Sequence, residues 1–222
     1  MRVLLTGNSR GIGAAIQADL EAHGHRIYGT HGAVAYQAVA TYRYNIAESE
    51  DIELLLDDAA SALGGLDILI NNAGILDSEP FGQLTVAGIE KVFRVNVVAP
   101  LLLAQGAVGM GAKLIIMVGS LYGVTGAYGA KPTYAASKAA LHNSTVTLAR
   151  ALGPQGVRVV AIAPGIVPTG IHDNQGGLAK HGATGHSCVG RMGTAVEVAH
   201  AVRFVMDNAY VNGTIIEVSG GR

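Results

Sequence analysis

Short apolar segments rich in β-branched residues alternate in this chain with longer segments whose apolar residues recur at helical spacing. The strand-like segments are residues 2–6, 25–30, 41–46, 66–71, 113–119, 157–163 and 213–218. The helix-like segments are residues 11–23, 48–63, 85–108, 132–152 and 194–206, and residues 32–40 leave room for only a short further helix. Because strand and helix in alternation join parallel strands by right-handed crossovers, this order predicts a doubly wound α/β fold, with a seven-stranded parallel sheet covered by helices on both faces.

Composition favours one folded domain spanning residues 1–222. Half of the 222 residues are apolar and only 14% are charged, and no linker-like segment or break in composition divides the chain. A mean hydropathy of +0.36 at a formal charge of -1 excludes disorder. The 15 Lys and Arg residues are balanced by 16 Asp and Glu residues, which argues against nucleic acid as a partner.

Cysteine usage and hydropathy predict a cytoplasmic protein without a metal ion or a membrane partner. The single cysteine, Cys188, cannot build a disulfide framework, and no Cys/His spacing typical of zinc sites occurs. The apolar run at residues 3–5 is too short for a signal sequence. Residues 95–112 are mostly apolar, but Asn96, Pro100 and Gln105 argue against a membrane span and favour burial in a large core.

A glycine-rich segment, residues 6–13 (T-G-N-S-R-G-I-G), follows the first strand-like segment and opens the first helix-like segment. Glycines there let the backbone turn tightly and approach a pyrophosphate, which the free N–H groups of the helix N-terminus bind. In a chain with 31 glycines such a pattern is as often structural, but its position favours a cofactor loop. The order T-G-x-x-x-G-x-G resembles the cofactor loop of the short-chain dehydrogenase/reductase family, which implies a Rossmann-type fold. The cofactor contacts that this resemblance implies are Gly7, Ser9, Arg10, Gly11, Ile12 and Gly13.

Further segments resemble motifs of the same family along nearly the whole chain. Residues 71–74 (N-N-A-G) match a family motif that stabilises the sheet and lines the adenosine side of the cofactor. Residues 164–169 (P-G-I-V-P-T) resemble the segment that holds the nicotinamide carboxamide. Residues 190–193 and 213–221 resemble the closing pattern, with Ser219 in place of the usual Asp. The cofactor contacts implied here are Asn72, Ala73, Gly74, Pro164, Gly165, Val167 and Thr169.

Ser120 follows the fifth strand-like segment, and Tyr134 and Lys138 form a Y-x-x-x-K pair whose side chains share one face of a helix. An isolated Tyr/Lys pair at this spacing usually lies on a surface, but this one follows a strand that leads to a serine. The resemblance implies that Ser120 orients the substrate oxygen, that Tyr134 donates the proton, and that Tyr134 and Lys138 also contact the cofactor. It implies that Asn96 connects Lys138 to solvent. The step from Ser120 to Tyr134 is longer by one residue than the commonest family spacing, and residues 123–129 can absorb the difference.

Reducing a carbonyl requires a proton donor whose pKa suits neutral pH. A free phenol has a pKa near 10, so bringing Tyr134 near 7 takes roughly 4 kcal/mol. A Lys138 cation about 5 Å away supplies about 3 kcal/mol of this at an effective dielectric of 20, and the positive nicotinamide of the oxidised cofactor adds the remainder. The sequence therefore predicts that the pKa of Tyr134 is lowered without a metal ion.

The end of the second strand-like segment predicts NADP(H) in preference to NAD(H). A carboxylate about 20 residues past the glycines is typical of NAD sites, and residues 29–47 contain no Asp or Glu. Arg10, Thr30 and His31 offer a basic, hydroxyl-bearing environment for a 2′-phosphate, although Arg10 and His31 could simply be solvated. Cofactor contacts are also assigned to Asn45 and Ile46, which end the third strand-like segment.

The segment at residues 170–190 is expected to form a mobile lid over the site, with Leu178 and Val189 as its few apolar anchors. Four histidines lie in or just after it but lack ligand-like spacing, so they are interpreted as polar lid or surface residues. They are His172, His181, His186 and His200.

Together these features predict an NADP-preferring oxidoreductase that transfers a hydride between a nicotinamide cofactor and a carbonyl or secondary alcohol, most similar to the 3-oxoacyl-acyl-carrier-protein reductases. The alternatives are an NAD-dependent sugar or polyol dehydrogenase and a non-catalytic dinucleotide sensor. Sensing needs no proton donor, so Ser120, Tyr134 and Lys138 argue against the sensor. Small and apolar residues on the helices at residues 85–108 and 132–152 predict a homo-oligomer, either a tetramer or a dimer. The substrate, the reaction direction and the stereochemistry stay open.

Overall fold

Seven strands form one sheet in the computed structural model, which describes residues 1–30, 41–42, 44–76, 79–127, 131–169 and 187–221. The strands are β1 (Arg2–Thr6), β2 (Arg26–Thr30), β3 (Thr41–Tyr42), β4 (Ile68–Asn71), β5 (Leu114–Val118), β6 (Arg158–Pro164) and β7 (Ile215–Val218). Their order is β3-β2-β1-β4-β5-β6-β7, and all neighbours are parallel. The predicted doubly wound parallel sheet is confirmed. The strand order reverses between β1 and β4, which is where ligands bind in sheets of this kind.

Helices cover both faces of the sheet. They are α1 (Gly11–Ala22), α2 (Ser49–Leu63), α3 (Val86–Phe93), α4 (Ala99–Gly109), α5 (Tyr122–Thr125), α6 (Pro132–Leu152) and α7 (Ala195–Asp207). Successive strand residues face opposite sides of a sheet. Leu4 therefore packs with α2, α4 and α6 in one apolar cluster, whereas Val3 and Leu5 pack with α1 and α7 in the other.

The helix predicted for residues 85–108 is continuous over Val86–Gly109, but a π-helix, Arg94–Val98, interrupts its α-helical geometry between α3 and α4. The N–H of Ala99 donates to the carbonyl oxygen of Arg94, five residues earlier. Pro100 has no N–H and cannot make the α-helical bond to the carbonyl of Asn96, which accounts for the wider turn at this position. The buried Asn96 lies inside this π-helix.

The third strand is shorter than predicted, since β3 ends at Tyr42 and not at residue 46. Asn45 turns the chain here: its Oδ1 accepts the N–H of Ala47 at 3.2 Å, and its own N–H donates to Asp51 Oδ2 at 2.7 Å. Local bonds between side chains and backbone compete with strand pairing. Asn45 and Ile46 consequently lie on the loop before α2.

Several predictions fall on positions outside the described residues. These are the short helix expected at residues 32–40, most of the lid at residues 170–190, and the individual residues His31, His172, Leu178, His181 and His186. The fourth histidine of that group, His200, lies on α7 with an exposed side chain.

One stretch among the described helices, Val86–Gly109, is long and apolar enough by length and composition to cross a membrane, and 39% of its most apolar window is buried. Leu103 and Ala107 of this stretch belong to the apolar cluster beneath the sheet. These residues pack in the core, whereas Val98 and Leu102 of the same stretch are 45% and 37% exposed.

Candidate active site

A cavity of about 590 Å³ lies at the carboxyl ends of the central strands, where the strand order reverses. Nearly all of the predicted cofactor residues that the structure describes border it. They are Gly7, Ser9, Arg10, Ile12, Gly13, Thr30, Asn45, Ile46, Asn72, Ala73, Gly74, Tyr134, Lys138, Pro164, Gly165, Val167 and Thr169. Gly11 does not border the cavity but packs against Thr169, which does, and His31 is outside the described residues.

The glycine loop between β1 and α1 is shaped for close approach. Gly7 and Gly11 have φ angles of +71° and +58°, a region that favours glycine. A Cβ at Gly11 would lie 2.7 Å from Cβ of Thr169, so the loop packs directly against the segment after β6. The first turn of α1 has no side-chain N-cap bond and no acidic residue, which leaves its N–H groups available to an anion. These features fit the pyrophosphate of a dinucleotide.

Asn72 ties the two central loops together. Its Nδ2 donates to the carbonyl oxygens of Thr6 and Gly7 at 3.0 and 2.8 Å. In return, Oγ1 of Thr6 accepts the N–H groups of Asn72 and Ala73, each at 3.0 Å. The N-N-A-G segment therefore fixes the floor of the cavity beside the glycine loop.

Three of the four predicted catalytic residues meet in the same cavity. Tyr134 and Lys138 lie one turn apart on α6, whose first turn contains Pro132, and Ser120 lies just beyond the end of β5. The Ser120 hydroxyl lies near enough to Tyr134 to lower the pKa of the phenol in part. Lys138 Nζ lies 5.8 Å from the centroid of the Tyr134 ring and donates to the carbonyl oxygen of Val118 at 2.9 Å. A hydroxyl pair beside a buried cation is suited to deliver a proton.

The predicted lowering of the Tyr134 pKa is wrong for the protein without a cofactor. Burial raises the pKa of Tyr134 to about 12, and the nearby Ser120 hydroxyl opposes this rise only in part. Burial also lowers the pKa of Lys138 to about 8. The predicted Tyr134 pKa included the charge of Lys138 but not the loss of hydration that burial imposes on both groups.

Asn96, the fourth predicted catalytic residue, lies behind the cavity wall. Its Oδ1 accepts the N–H of Ile75 at 2.9 Å, and its Nδ2 donates to the carbonyl oxygen of Ile75 at 2.9 Å and to Ser137 Oγ at 3.0 Å. A Cβ at Gly74 would lie 3.2 Å from Asn96 Oδ1 and 3.5 Å from Lys138 Nζ, so the amide and the cation meet at this glycine. Both amide hydrogens are already donated, which leaves the oxygen as the group that could accept a further bond.

The sequence motifs missed the apolar and aromatic part of the cavity wall. Tyr122 packs edge-on against Tyr134, with ring centroids 6.5 Å apart and an interplanar angle of 88°. Tyr44 borders the far end, and its hydroxyl donates to Asp58 Oδ2 at 2.5 Å. The missed residues are Tyr44, Ile75, Leu76, Val95, Val118, Gly119, Leu121, Tyr122 and Ile166. Of these residues, only Tyr122 could have been suspected from the sequence, because it follows Ser120 by two residues.

Behind the cavity, His142 packs against the backbone of the loop after β5, residues 119–123, which is called the serine loop here. Its Nε2 accepts the N–H of Ser120 at 3.4 Å. A Cβ at Gly119 would overlap this imidazole, and a Cβ at Gly123 would lie 2.9 Å from its Cε1. Its sequence position carried a signal, since it follows Lys138 by four residues and therefore shares the helix face of Tyr134 and Lys138.

No group of three or more His, Cys, Asp or Glu side chains that could hold a metal ion occurs among the described residues. The exposed His200 lies 4.0 Å from Asp19 on the outer surface, away from the cavity.

Sheet order and a glycine loop at the reversal point define a dinucleotide-binding α/β protein. A family model described as Enoyl-(Acyl carrier protein) reductase matches residues 6–222. An uncharacterized oxidoreductase of Schizosaccharomyces pombe is 33% identical over 238 residues, which are 99% of this chain and 89% of that protein. The 3-oxoacyl-acyl-carrier-protein reductase of Escherichia coli is 32% identical over 240 residues, which are 98% of this chain and 95% of that enzyme.

Solved structures show the same relationship. A short chain dehydrogenase from Burkholderia cenocepacia in complex with NADP has a TM-score of 0.91 at 33% identity, covering 99% of this chain and 96% of that one. A blue fluorescent protein from a metagenomic library in complex with NADPH has a TM-score of 0.90 at 29% identity, with the same coverage. The chain belongs to the short-chain dehydrogenase/reductase family, and it is an NAD(P)-dependent oxidoreductase.

Proposed function

We propose that this chain, as a single dinucleotide-binding domain, catalyses NADP-preferring hydride transfer between the cofactor and a carbonyl or secondary alcohol. The observation that carries the proposal is that Ser120, Tyr134 and Lys138 line one cavity, with Lys138 Nζ 5.8 Å from the centroid of the Tyr134 ring, and that the glycine loop borders the same cavity. When bound, the nicotinamide supplies or accepts the hydride. The glycine loop and residues 164–169 hold the two ends of the cofactor.

The protein's own share of the reaction is to hold the carbonyl oxygen and protonate it. Ser120 Oγ and Tyr134 Oη both donate toward that oxygen, and the Tyr134 proton moves to it as negative charge develops. The Lys138 cation favours the phenolate that remains. Tyr134 and Lys138 are only 9% and 4% exposed, so water competes little for the reacting atoms. Lys138 then passes a proton to the phenolate, and Asn96, behind Gly74, supports the return of a proton from solvent to Lys138.

The cofactor preference rests on the rim of the cavity near β2. None of the described residues that line the cavity is Asp or Glu, and the exposed Arg10 lies at its edge. Thr30 Oγ1 accepts the N–H of Gly7 at 3.3 Å and so lies beside the glycine loop. The complexes of two structural relatives with NADP and NADPH support the same choice. His31 stays a predicted contact.

Replacing Arg10 by alanine is expected to weaken NADPH binding about tenfold or more and to leave NADH binding nearly unchanged. The physical reason is that a guanidinium binds a 2′-phosphate but gains nothing from a 2′-hydroxyl. Fluorescence titration of both cofactors against the parent and Arg10→Ala measures this, with NADH as the internal control. Equal affinities of the parent for the two cofactors, or an equal loss of both in the variant, would contradict the NADP assignment.

The substrate is tested with a panel of ketones, 3-oxoacyl thioesters and sugars, followed by the loss of nicotinamide absorbance. The proposal expects reduction of a ketone or a 3-oxoacyl thioester with NADPH, and the similarity to a 3-oxoacyl-acyl-carrier-protein reductase supports including the thioesters. Faster oxidation of a sugar or polyol with NAD would favour the alternative dehydrogenase. Tight cofactor binding without turnover of any panel member would favour the sensor.

A homo-oligomer, tetramer or dimer, forms part of the proposal. Val98 and Leu102 are 45% and 37% exposed on adjoining helical turns. Ala136 and Ala139 are exposed on α6, which contacts the π-helix. Exposed apolar groups beside small side chains permit close packing of a second copy. A cytoplasmic location, without nucleic acid or membrane as a partner, is likewise proposed.

Light scattering at micromolar concentration is expected to give the mass of a dimer or tetramer. Leu102→Glu should lower that mass, because it introduces a charge into the packed surface. Leu54→Glu serves as the matched control, since Leu54 is 56% exposed on α2. A parental monomer, or the same mass for both variants, would contradict the proposed surface.

A further inference from the structure

His142 is a buried imidazole that the proposed chemistry does not use. It is 6% exposed and lies on α6, one turn beyond Lys138 and two turns beyond Tyr134. The same helix face therefore carries three functional side chains, of which the first two border the cavity and the third lies behind it.

The hydrogen bond to the serine loop fixes the chemical state of this imidazole. The backbone N–H of Ser120 can only donate, so Nε2 of His142 carries the lone pair and Nδ1 carries the proton. Burial and the nearby Lys138 cation lower the pKa of His142 to about 4, and the ring therefore stays neutral near pH 7. The imidazole thus remains a hydrogen-bond acceptor while a cation lies one turn away.

The serine that this bond holds is anchored from both sides. From behind, its N–H donates to His142. From the front, its Oγ accepts the N–H of Tyr122 at 3.2 Å and faces the cavity that Tyr134 also lines. Gly119 and Gly123 both pack so tightly against the imidazole or its helix that a Cβ at either position would force a shift. The loop therefore rests against the imidazole over several residues and not only at one bond.

We propose that His142 is a positioning residue of the reaction: its neutral imidazole fixes the backbone of Ser120 and thereby aims the serine hydroxyl at the substrate oxygen. It contacts neither substrate nor cofactor and acts through Ser120 alone. This inference rests on the proposed function. A misplacement of a reacting group by about 1 Å can cost two orders of magnitude in rate, so a loop anchor of this kind has a measurable effect.

A matched pair of variants separates positioning from packing. In His142→Gln the amide oxygen can reach the place of Nε2, whereas His142→Met has a similar length and no good acceptor. We expect His142→Gln to keep kcat within about threefold of the parent and His142→Met to lose about tenfold or more. The NADPH dissociation constant should stay within about twofold in both.

An independent measurement uses the parent protein and needs neither a substrate nor a folded variant. In protein labelled with ¹⁵N-histidine, the His142 signal near pH 7 should report a proton on Nδ1 and a bare Nε2. A proton on Nε2 would overturn the proposal. Equal kcat values for the two variants, or a loss of NADPH affinity in place of kcat, would overturn it as well.

Tyr134→Phe in the same assay separates a failure of the positioning role of His142 from a failure of the proposed function. If it loses turnover while His142→Gln and His142→Met are equal, the positioning role fails and the proposed function stands. If Tyr134→Phe keeps turnover, the proposed function fails, and the role of His142 fails with it.

Discussion

Replacing Tyr134 by phenylalanine is expected to lower kcat for carbonyl reduction by about 100-fold or more while NADPH binding changes little. The ring keeps its edge contact with Tyr122 and its position 5.8 Å from Lys138 Nζ, so the cavity retains its shape. The variant lacks the proton that the substrate oxygen takes up, and positioned acid catalysis is typically worth about 10²- to 10⁴-fold. Steady-state kinetics and a cofactor titration on the same preparation measure the two quantities.

Tyr122→Phe is the matched control for that experiment. It removes a hydroxyl from a neighbouring ring that borders the same cavity, and we expect kcat to fall by less than about threefold because no proton transfer is assigned to it. If Tyr134→Phe kept more than about a tenth of parental kcat, a loss below about 1.4 kcal/mol, the proton would have to come from Ser120 or a bound water.

Replacing Lys138 by methionine should stabilise the fold and abolish turnover at once. Burial lowers the pKa of Lys138 from 10.5 to about 8. Near pH 7 the charged side chain therefore costs folding roughly 3 kcal/mol. Methionine removes this cost but leaves the carbonyl of Val118 without its donor, and this loss destabilises the fold by about 1 kcal/mol. We expect the free energy of unfolding to rise by about 2 kcal/mol, and kcat to fall by about 100-fold or more, because the phenolate loses its cation.

The rise in the free energy of unfolding expected for Lys138→Met depends on pH, and the lowered pKa of Lys138 sets the sign of this dependence. Between pH 8 and 10.5 the unfolded chain binds a proton at Lys138 that the folded chain has released. Stability therefore rises with pH in this window for the parent, and the advantage of Lys138→Met shrinks toward zero. Urea unfolding of both proteins at pH 7 and pH 10 measures the difference, in which other titrating groups cancel. A variant less stable than the parent near pH 7 would contradict the assignment of an uncompensated buried cation.

The sheet could be predicted because its central strands are buried on both faces and read as short continuous apolar runs. Helix α6 was predicted with its observed ends, and Pro132 suits its first turn. The π-helix could not be found in the same way. Its apolar spacing differs little from that of an α-helix over five residues, and the only hint was a proline whose effect depends on the chain around it.

Ser120, Tyr134 and Lys138 could be predicted to share one site, because their motifs place them at the end of a strand and on one face of a helix. Their pKa values did not follow from spacing, since the hydration that Tyr134 and Lys138 lose is set by side chains far apart in sequence. His142 was missed for a different reason. It belongs to none of the sequence motifs, and its only signal was its place on the helix face of the catalytic pair.

The fit of Gly119 against the imidazole of His142 makes these two positions an epistatic pair, whereas a Cβ at Gly123 would lie 2.7 Å from the backbone of Lys138 whatever residue stands at position 142. Alanine at position 119 has no room while the imidazole is present, and loss of the imidazole alone opens a void beside two glycines. Scanning one position at a time would therefore score both glycines as intolerant. Randomising positions 119 and 142 together should recover folded variants that combine alanine at 119 with a smaller residue at 142, so changes in this part of the wall are expected to occur in pairs.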